Sequence, residues 1–412
     1  MNIIRNTESI TGVKVSKRIL LFLLIPVVHA VFFYFIYDFK IIQDEYFHFN
    51  QISRYLAGDY SLNPAMTTLP GYHILVAAIL KIIHSDSLAN ARLITFVLNL
   101  SSIAAFYLTV NLLDRKSAVI KTLQFSFFPL VFPYFSLVYT DIFSISMVLF
   151  SFYFILIRRY NLSGIMGIAS LLVRQNNVIW LVFFLISSYI RENGNNFHLI
   201  NIFKHLKKSW LLASAVVTFF VFAVIHKGFS LGVQEMFPVK LFNMGNIYLL
   251  LFIFFVLFLP ENILRLKKIS WNLKGWRNFL ILAGAGFIFF MKTMVNTHPF
   301  NQTWWFIHNY LIILFNSTLH WKIIYYLVII TSLVILKSTE LIQKGFVILY
   351  PLVVLSLLPF WMVEYRYYMI PFTLFILFAK AQTPMAAAIT LILYLVADVF
   401  LINGILRGSF FM

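Results

Sequence analysis

ILLFLLIPVVHAVFFYFIYDFKIIQDEYFH, residues 19 to 48, passes from one kind of solvent to another. Its first part, about 19–37, is almost purely apolar and close to the roughly 20 residues a helix needs to cross a bilayer. Then Asp44, Glu45 and His48 arrive, with Arg54 and Asp59 shortly after, in a chain that has only 14 acidic residues. The apolar part decides the fold class, because it reads as a membrane helix. The polar part raises the question of function: two adjacent carboxylates and a histidine one helical turn on, where that helix ends.

The rest of the chain continues the pattern. Of 412 residues, 61% are hydrophobic and 11% charged, with a mean hydropathy of +0.88. A soluble domain is about 25% charged. The composition predicts an all-α polytopic membrane protein, in which lipid takes the place of a soluble core. Lys14, Lys17 and Arg18 before the first apolar run resemble the start of a signal peptide. No A-x-A cleavage site follows and more apolar segments do, so a retained signal-anchor helix is expected. Cysteine is absent, which excludes disulfides, thiolate chemistry and zinc-thiolate sites. The net charge of +18 fits cytoplasmic loops and anionic headgroups. With no DNA- or RNA-binding motif present, no nucleic-acid partner is expected.

Apolar segments fall at about 19–37, 90–112, 118–137, 141–157, 162–173, 177–190, 209–226, 246–260, 277–296, 321–337, 344–361, 367–380 and 384–404. No repeat, linker or soluble domain interrupts them, so one membrane domain over 1–412 is expected. Lys14, Lys17 and Arg18 predict a cytoplasmic N-terminus. The segment Leu69–His84 is apolar but short, and reads as interfacial. With that choice about two thirds of the 32 Lys and Arg residues fall inside. Asp44–Glu45, Tyr139–Asp141, Arg174–Asn177 and Glu364–Arg366 then share the outer, or lumenal, face. Ionisable groups gathered on one side at membrane depth point to a site.

Each group has a structural reading beside the functional one. Asp44 and His48 are spaced i, i+4 and share a helix face; a partly desolvated carboxylate there can act as a base, or simply cap a helix. Arg174, Gln175, Asn176 and Asn177 interrupt an apolar run. An arginine there can bind phosphate and the amides can bind sugar hydroxyls, or the four form a connecting loop. Glu364, Arg366 and Tyr367 are a second phosphate or sugar contact, or an aromatic belt with a snorkelling arginine. Asp141 opens a helix after Thr140 and reads most simply beside an N-cap. Asn301-Gln302-Thr303 fits a glycosylation acceptor. No Walker loop, Rossmann glycine pattern, Ser-His-Asp order or HExxH occurs, so ATP- and NAD-dependent chemistry has no support.

QDEYFHFNQISRYLAGDYSLNPAMTTLPGYH, residues 43–73, resembles the first lumenal loop of the endoplasmic-reticulum α-1,2-glucosyltransferases that use dolichyl-phosphate glucose. Pro64, Thr67, Thr68, Pro70 and Gly71 match the family's ending of that loop, while Leu62 and Asn63 stand where it has Trp and Asp. VYTDIFS (138–144), VRQNNVIW (173–180) and EYRYYMIPF (364–372) are similar to its later motifs. The agreement runs from about residue 38 to 375. After His298-Pro299 the sequence FNQTWWFIHNY lacks the Asp and Arg of the family's D-N-R-H-Y-type motif.

The resemblance implies a GT-C fold with about 12–14 transmembrane helices and interfacial helices in a first lumenal loop at about 38–88. It implies an inverting transfer of glucose from dolichyl-phosphate glucose to a lipid-linked oligosaccharide at the endoplasmic reticulum membrane, in N-glycosylation. No cofactor is implied and a metal is not expected, because the leaving group is a phosphate rather than a nucleotide diphosphate. Asp44 and Glu45 are the implied catalytic carboxylates, with Asp44 the expected base and Glu45 or Asp141 as its rivals. Arg174 and Arg366 are the implied phosphate contacts. His48, Asp141, Gln175, Asn176, Asn177, Glu364 and Tyr367 are the implied sugar or acceptor contacts. Two other readings stay open: a GT-C transferase using another polyprenyl-phosphate sugar in a bacterial envelope, at the plasma membrane, and a non-catalytic transporter-like protein. A transporter would often show inverted repeats, which the sequence lacks.

Overall fold

A computed structural model describes residues 25–194, 196–228, 231–232, 242–269, 273–294 and 296–412. Lys14, Lys17 and Arg18, the beginning of the first apolar run and most of the 226–240 loop lie outside the described residues. The described residues form helices and no strand, with two isolated bridges, Phe306–Phe411 and Leu341–Ala379.

The helices in chain order are α1 (Ile25–Ile36), α2 (Glu45–Leu56), α3 (Gly71–Ile82), α4 (Leu88–Leu113), α5 (Ala118–Ser126), α6 (Asp141–Leu156), α7 (Tyr160–Val173), α8 (Val178–Asn193), α9 (Leu199–Lys208), α10 (Trp210–His226), α11 (Gly245–Leu257), α12 (Leu259–Lys267), α13 (Leu273–Thr293), α14 (Ile307–Ser317), α15 (Leu319–Ser338), α16 (Leu349–Leu357), α17 (Met369–Phe378) and α18 (Pro384–Arg407). The chain is a polytopic membrane protein. Among the described residues α4, α15 and α18 are each long and apolar enough to span a membrane. The pairs α9–α10 and α11–α12 meet the same test only together, bent by 95° and 88°. The second bend has a cause in Pro260, which opens α12 and has no N–H to continue α11.

The sequence places one span at 118–137. The structure divides it: α5 stops at Ser126 and a 3₁₀ turn covers Phe132–Ser136. Pro129 and Pro133 are incompatible with an unbroken helix there. This segment sits at the centre of the bundle, with every residue from 121 to 146 buried. Aromatic contacts fill the space around it, as in Phe106 stacked on Phe125 at 4.5 Å and Phe128 edge-on to Tyr394 at 5.4 Å.

The loop between α1 and α4 folds into α2 and α3, which pack on each other. At 12 residues, α3 is too short to cross a bilayer. Its first residue is Gly71 for a steric reason. A Cβ there would come 2.7 Å from the Leu172 carbonyl oxygen. Glycine therefore lets the loop press against the end of α7, one residue pair before Arg174.

Candidate active site

Asp44 and Glu45 begin α2 and have opposite surroundings. Glu45 is fully buried, and its two oxygens receive four donors. Arg92 Nε gives 2.9 Å, Arg92 Nη2 2.6 Å, Ile42 N–H 3.0 Å and Val138 N–H 3.0 Å. Arg92, equally buried, also donates to the Ile36, Phe39 and Lys40 carbonyls at 2.7, 2.6 and 3.1 Å. One ion pair thus ties the end of α1, the start of α2, the body of α4 and the turn before α6. With its acceptor capacity this fully engaged, Glu45 has the geometry of a strut.

Asp44 has a 39% exposed side chain and, among the described residues, one ionic partner, Arg366 Nη2 at 2.8 Å. Arg366 follows Glu364, whose carboxylate lies 3.4 Å from Arg366 Nε and accepts from its backbone N–H at 3.3 Å. Burial pushes the Glu364 carboxyl above its ordinary range. The Arg366 guanidinium lies over the Tyr139 ring, 5.7 Å from the centroid, a cation–π contact. On that ring rests His48, at 5.3 Å. His48 Nδ1 meets His73 Nε2 at 2.9 Å, so α2 and α3 each supply one imidazole. His48 is pushed down to about 3, chiefly by burial, then by the charges of Arg366 and Arg174; it is neutral at physiological pH.

Asp141, at the start of α6, is ion-paired with Arg174 at the end of α7. The charge of Asp141 reaches Arg366 as well, and Arg174 acts on both His48 and Tyr367. Asp44, His48, Asp141, Arg174, Glu364, Arg366 and Tyr367 therefore form one electrostatic group at one end of the bundle. Within this region Asp141 Oδ2, His73 Nδ1 and His308 Nδ1 are buried with no hydrogen-bond partner among the described residues. Buried polar atoms are normally satisfied, so these are unused bonding capacity around the site.

The neighbours of Arg174 divide. Gln175 donates to the Thr67 carbonyl at 2.6 Å and accepts from Leu69 N–H at 3.1 Å, holding the first loop. Asn177 is buried and donates to Ser144 Oγ and the Ser170 carbonyl at 2.7 and 2.9 Å, so its amide joins helices. Asn176 is exposed. Tyr367 stacks on Phe360 at 4.4 Å. Sequence reasoning missed Arg92, although a lone arginine inside an apolar span was a usable signal. His308, which lies on the Tyr365 ring at 5.4 Å, gave no signal. Asn301, the acceptor of the sequon, is buried, with its amide donating to Asn309 Oδ1 and the Val363 carbonyl at 3.1 and 2.7 Å; folding removes it as a glycosylation acceptor.

A part-exposed carboxylate paired with Arg366, in one electrostatic group with Arg174 and a neutral imidazole, can take a proton while the cations hold an anion. The sequence profile of the DIE2/ALG10 family matches residues 39–377, which include every one of these groups. The chain belongs to that family. Among curated proteins, it is 26% identical over 220 residues to a Debaryomyces hansenii protein named Dol-P-Glc:Glc(2)Man(9)GlcNAc(2)-PP-Dol alpha-1,2-glucosyltransferase, covering 47% of this chain and 48% of that one. A Homo sapiens protein of the same name is 30% identical over 159 residues, covering 34% of each. A Kluyveromyces lactis protein of that name is 27% identical over 271 residues, covering 56% of this chain and 49% of the relative. The chain thus spans half or less of the curated relatives it matches. No solved structure matches it.

Proposed function

We propose that this chain is an inverting glucosyltransferase of GT-C type. It moves glucose from dolichyl-phosphate glucose to a lipid-linked oligosaccharide, forming an α-1,2 linkage at the lumenal face of the endoplasmic reticulum membrane, with its N-terminus in the cytoplasm. Family membership and the names of the relatives support the donor and acceptor class. The observation that carries the mechanism is the contrast at residues 44 and 45: Glu45 is engaged on both oxygens, whereas Asp44 is half-exposed and held by Arg366.

In this reading Asp44 takes the proton of the acceptor hydroxyl. The hydroxyl oxygen bonds to the anomeric carbon of glucose from the side opposite the phosphate. The bond from that carbon to the phosphate oxygen breaks, and its electron pair leaves with dolichyl phosphate. Arg174 and Arg366 supply the positive charge where the phosphate charge grows, each able to form bidentate bonds. Arg366 also aims the base, and neutral His48 packs beneath it without competing for the proton. Glu45 acts through position. Asp141 keeps Arg174 in place and leaves one oxygen for a sugar hydroxyl.

The test is a donor panel with the purified full chain in liposomes and a synthetic lipid-linked glycan. Dolichyl-phosphate glucose is expected to yield a product cleaved by an α-glucosidase, with no transfer from dolichyl-phosphate mannose or a nucleotide glucose. Transfer from the nucleotide sugar, or from none of the three, would overturn the proposal. Because the chain has no cysteine, single introduced cysteines at 59 and 176 also report topology: both should react only with reagent on the lumenal side.

A further inference from the structure

At the end of the bundle opposite Asp44, a second basic region has no part in the proposed transfer. Asp141, Arg174 and Val178 mark the site end of α6, α7 and α8, so Tyr160 and Asn193 mark the other end. The two ends of α8 are about 24 Å apart, at 1.5 Å for each of its 16 residues. There α9 turns away from the apolar helix α10 at 95°, and with 10 residues it is too short to cross a bilayer by itself.

The helix is built to stay there. His205, its one buried residue, bonds Ser188 Oγ through Nε2 at 3.0 Å and Glu192 Oε2 through Nδ1 at 3.2 Å. The Tyr160 hydroxyl donates to the other Glu192 oxygen. Around this anchor the sequence LINIFKHLKK sets apolar and basic residues side by side on the exposed part of the helix. Leu199, Ile200 and Phe203 are each about 70% exposed, an apolar stripe suited to the acyl boundary. Next to the stripe Lys204, Lys207 and Lys208, with Asn193, Asn201, Glu192 and His205, line a recess of about 400 Å³. Glu192 is engaged with Tyr160, His205 and Lys208. Lys204 and Lys207 have no ion-pair or hydrogen-bond partner among the described residues. The recess therefore carries unneutralised positive charge beside an apolar stripe at one level of the membrane.

We propose that this recess binds the headgroup of an anionic phospholipid of the leaflet opposite the active site. The lysines meet the phosphate and the acyl chains run beside Leu199 and Phe203. Charge complementarity selects this occupant, because a zwitterionic headgroup brings no net charge to the two free lysines, and a soluble anion makes no use of the apolar stripe.

The test titrates short-chain phosphatidylserine onto the detergent-solubilised full chain, with short-chain phosphatidylcholine and inorganic phosphate as the other arms. Saturable binding of phosphatidylserine alone is expected. The double variant K204Q/K207Q should raise its apparent Kd about 30-fold, the equivalent of ~1 kcal/mol for each lysine near a charged surface. Both side chains are exposed, so the variant should keep the wild-type melting temperature. If it does not, a salt titration of the wild-type protein decides, and the Kd should rise with ionic strength. Equal binding of phosphatidylcholine, competition by inorganic phosphate beyond that of chloride at matched ionic strength, or a Kd unmoved by both the double variant and salt would each overturn the proposal.

Discussion

Glu45 and Asp44 are chain neighbours, yet they belong to different regions of the molecule. Glu45 belongs to the packed interior, where Arg92 and two backbone N–H groups use both its oxygens. Asp44 belongs to the open end of the bundle, where Arg366 meets one oxygen and solvent reaches the side chain. Asp398 on α18 supplies a third case: it is 3% exposed, and neither of its oxygens has a partner among the described residues. Burial alone therefore does not tell what a carboxylate does here. The number of donors it meets separates a strut, the proposed base and a group that stabilises nothing.

The largest expected effect tests the division at its functional side. Asp44→Asn keeps size and removes basicity, and loss of a general base typically costs about 10² to 10⁴ in rate. In a donor-saturated transfer assay the rate should fall by that amount while dolichyl-phosphate glucose still binds. If Asp44→Asn turns over near the wild-type rate and Asp141→Asn is dead, the base lies at the start of α6 and the comparison is misplaced.

Next in size is the strut. Arg92→Met leaves Glu45 buried with its ionic partner gone, and breaking one side of a buried pair costs about 3–5 kcal/mol. Thermal unfolding in detergent should show the loss directly. A variant as stable as wild type would mean that the four donors to Glu45 do not define a strut.

A smaller effect concerns pH. His48 is held neutral in the folded protein down to about 3, against an ordinary value of 6.5. The unfolded chain takes up the proton below about 6.5 and the folded chain does not. Stability from this group is therefore complete above that pH and declines as pH falls towards 3, by about 2 kcal/mol between pH 7 and pH 5. The melting temperature should drop over that interval, and His48→Gln should flatten the slope. An identical slope in the variant would remove His48 as its source.

The smallest effect is expected at Asp398. Removing a buried carboxyl that meets no donor deprives the fold of nothing, so Asp398→Asn should leave stability within about 1 kcal/mol of wild type or raise it. A loss as large as that of Arg92→Met would show that Asp398 has a partner and belongs with Glu45.

The sequence by itself determined the solvent and the menu of groups. Continuous apolar runs, in place of the alternation of a barrel strand, leave helices as the way to satisfy the backbone in lipid, and no distant contact is needed to read them. The motifs around Asp44, Asp141, Arg174 and Glu364 were legible for the same reason, because each polar cluster interrupts an apolar run. Proline positions were local information too, although the breaks at Pro129 and Pro133 were read through. Only the tertiary structure separated Asp44 from Glu45. Arg92 lies 47 positions along the chain from Glu45 and Arg366 lies 322 from Asp44, and nothing in QDEYFH says which carboxylate each will meet. The same holds for Asn177 and Asn301, whose amides became internal joints, and for the 95° bend between α9 and α10. Local sequence sets which groups are polar; their neighbours, brought in from far along the chain, decide whether that polarity is consumed by the fold or left for a substrate.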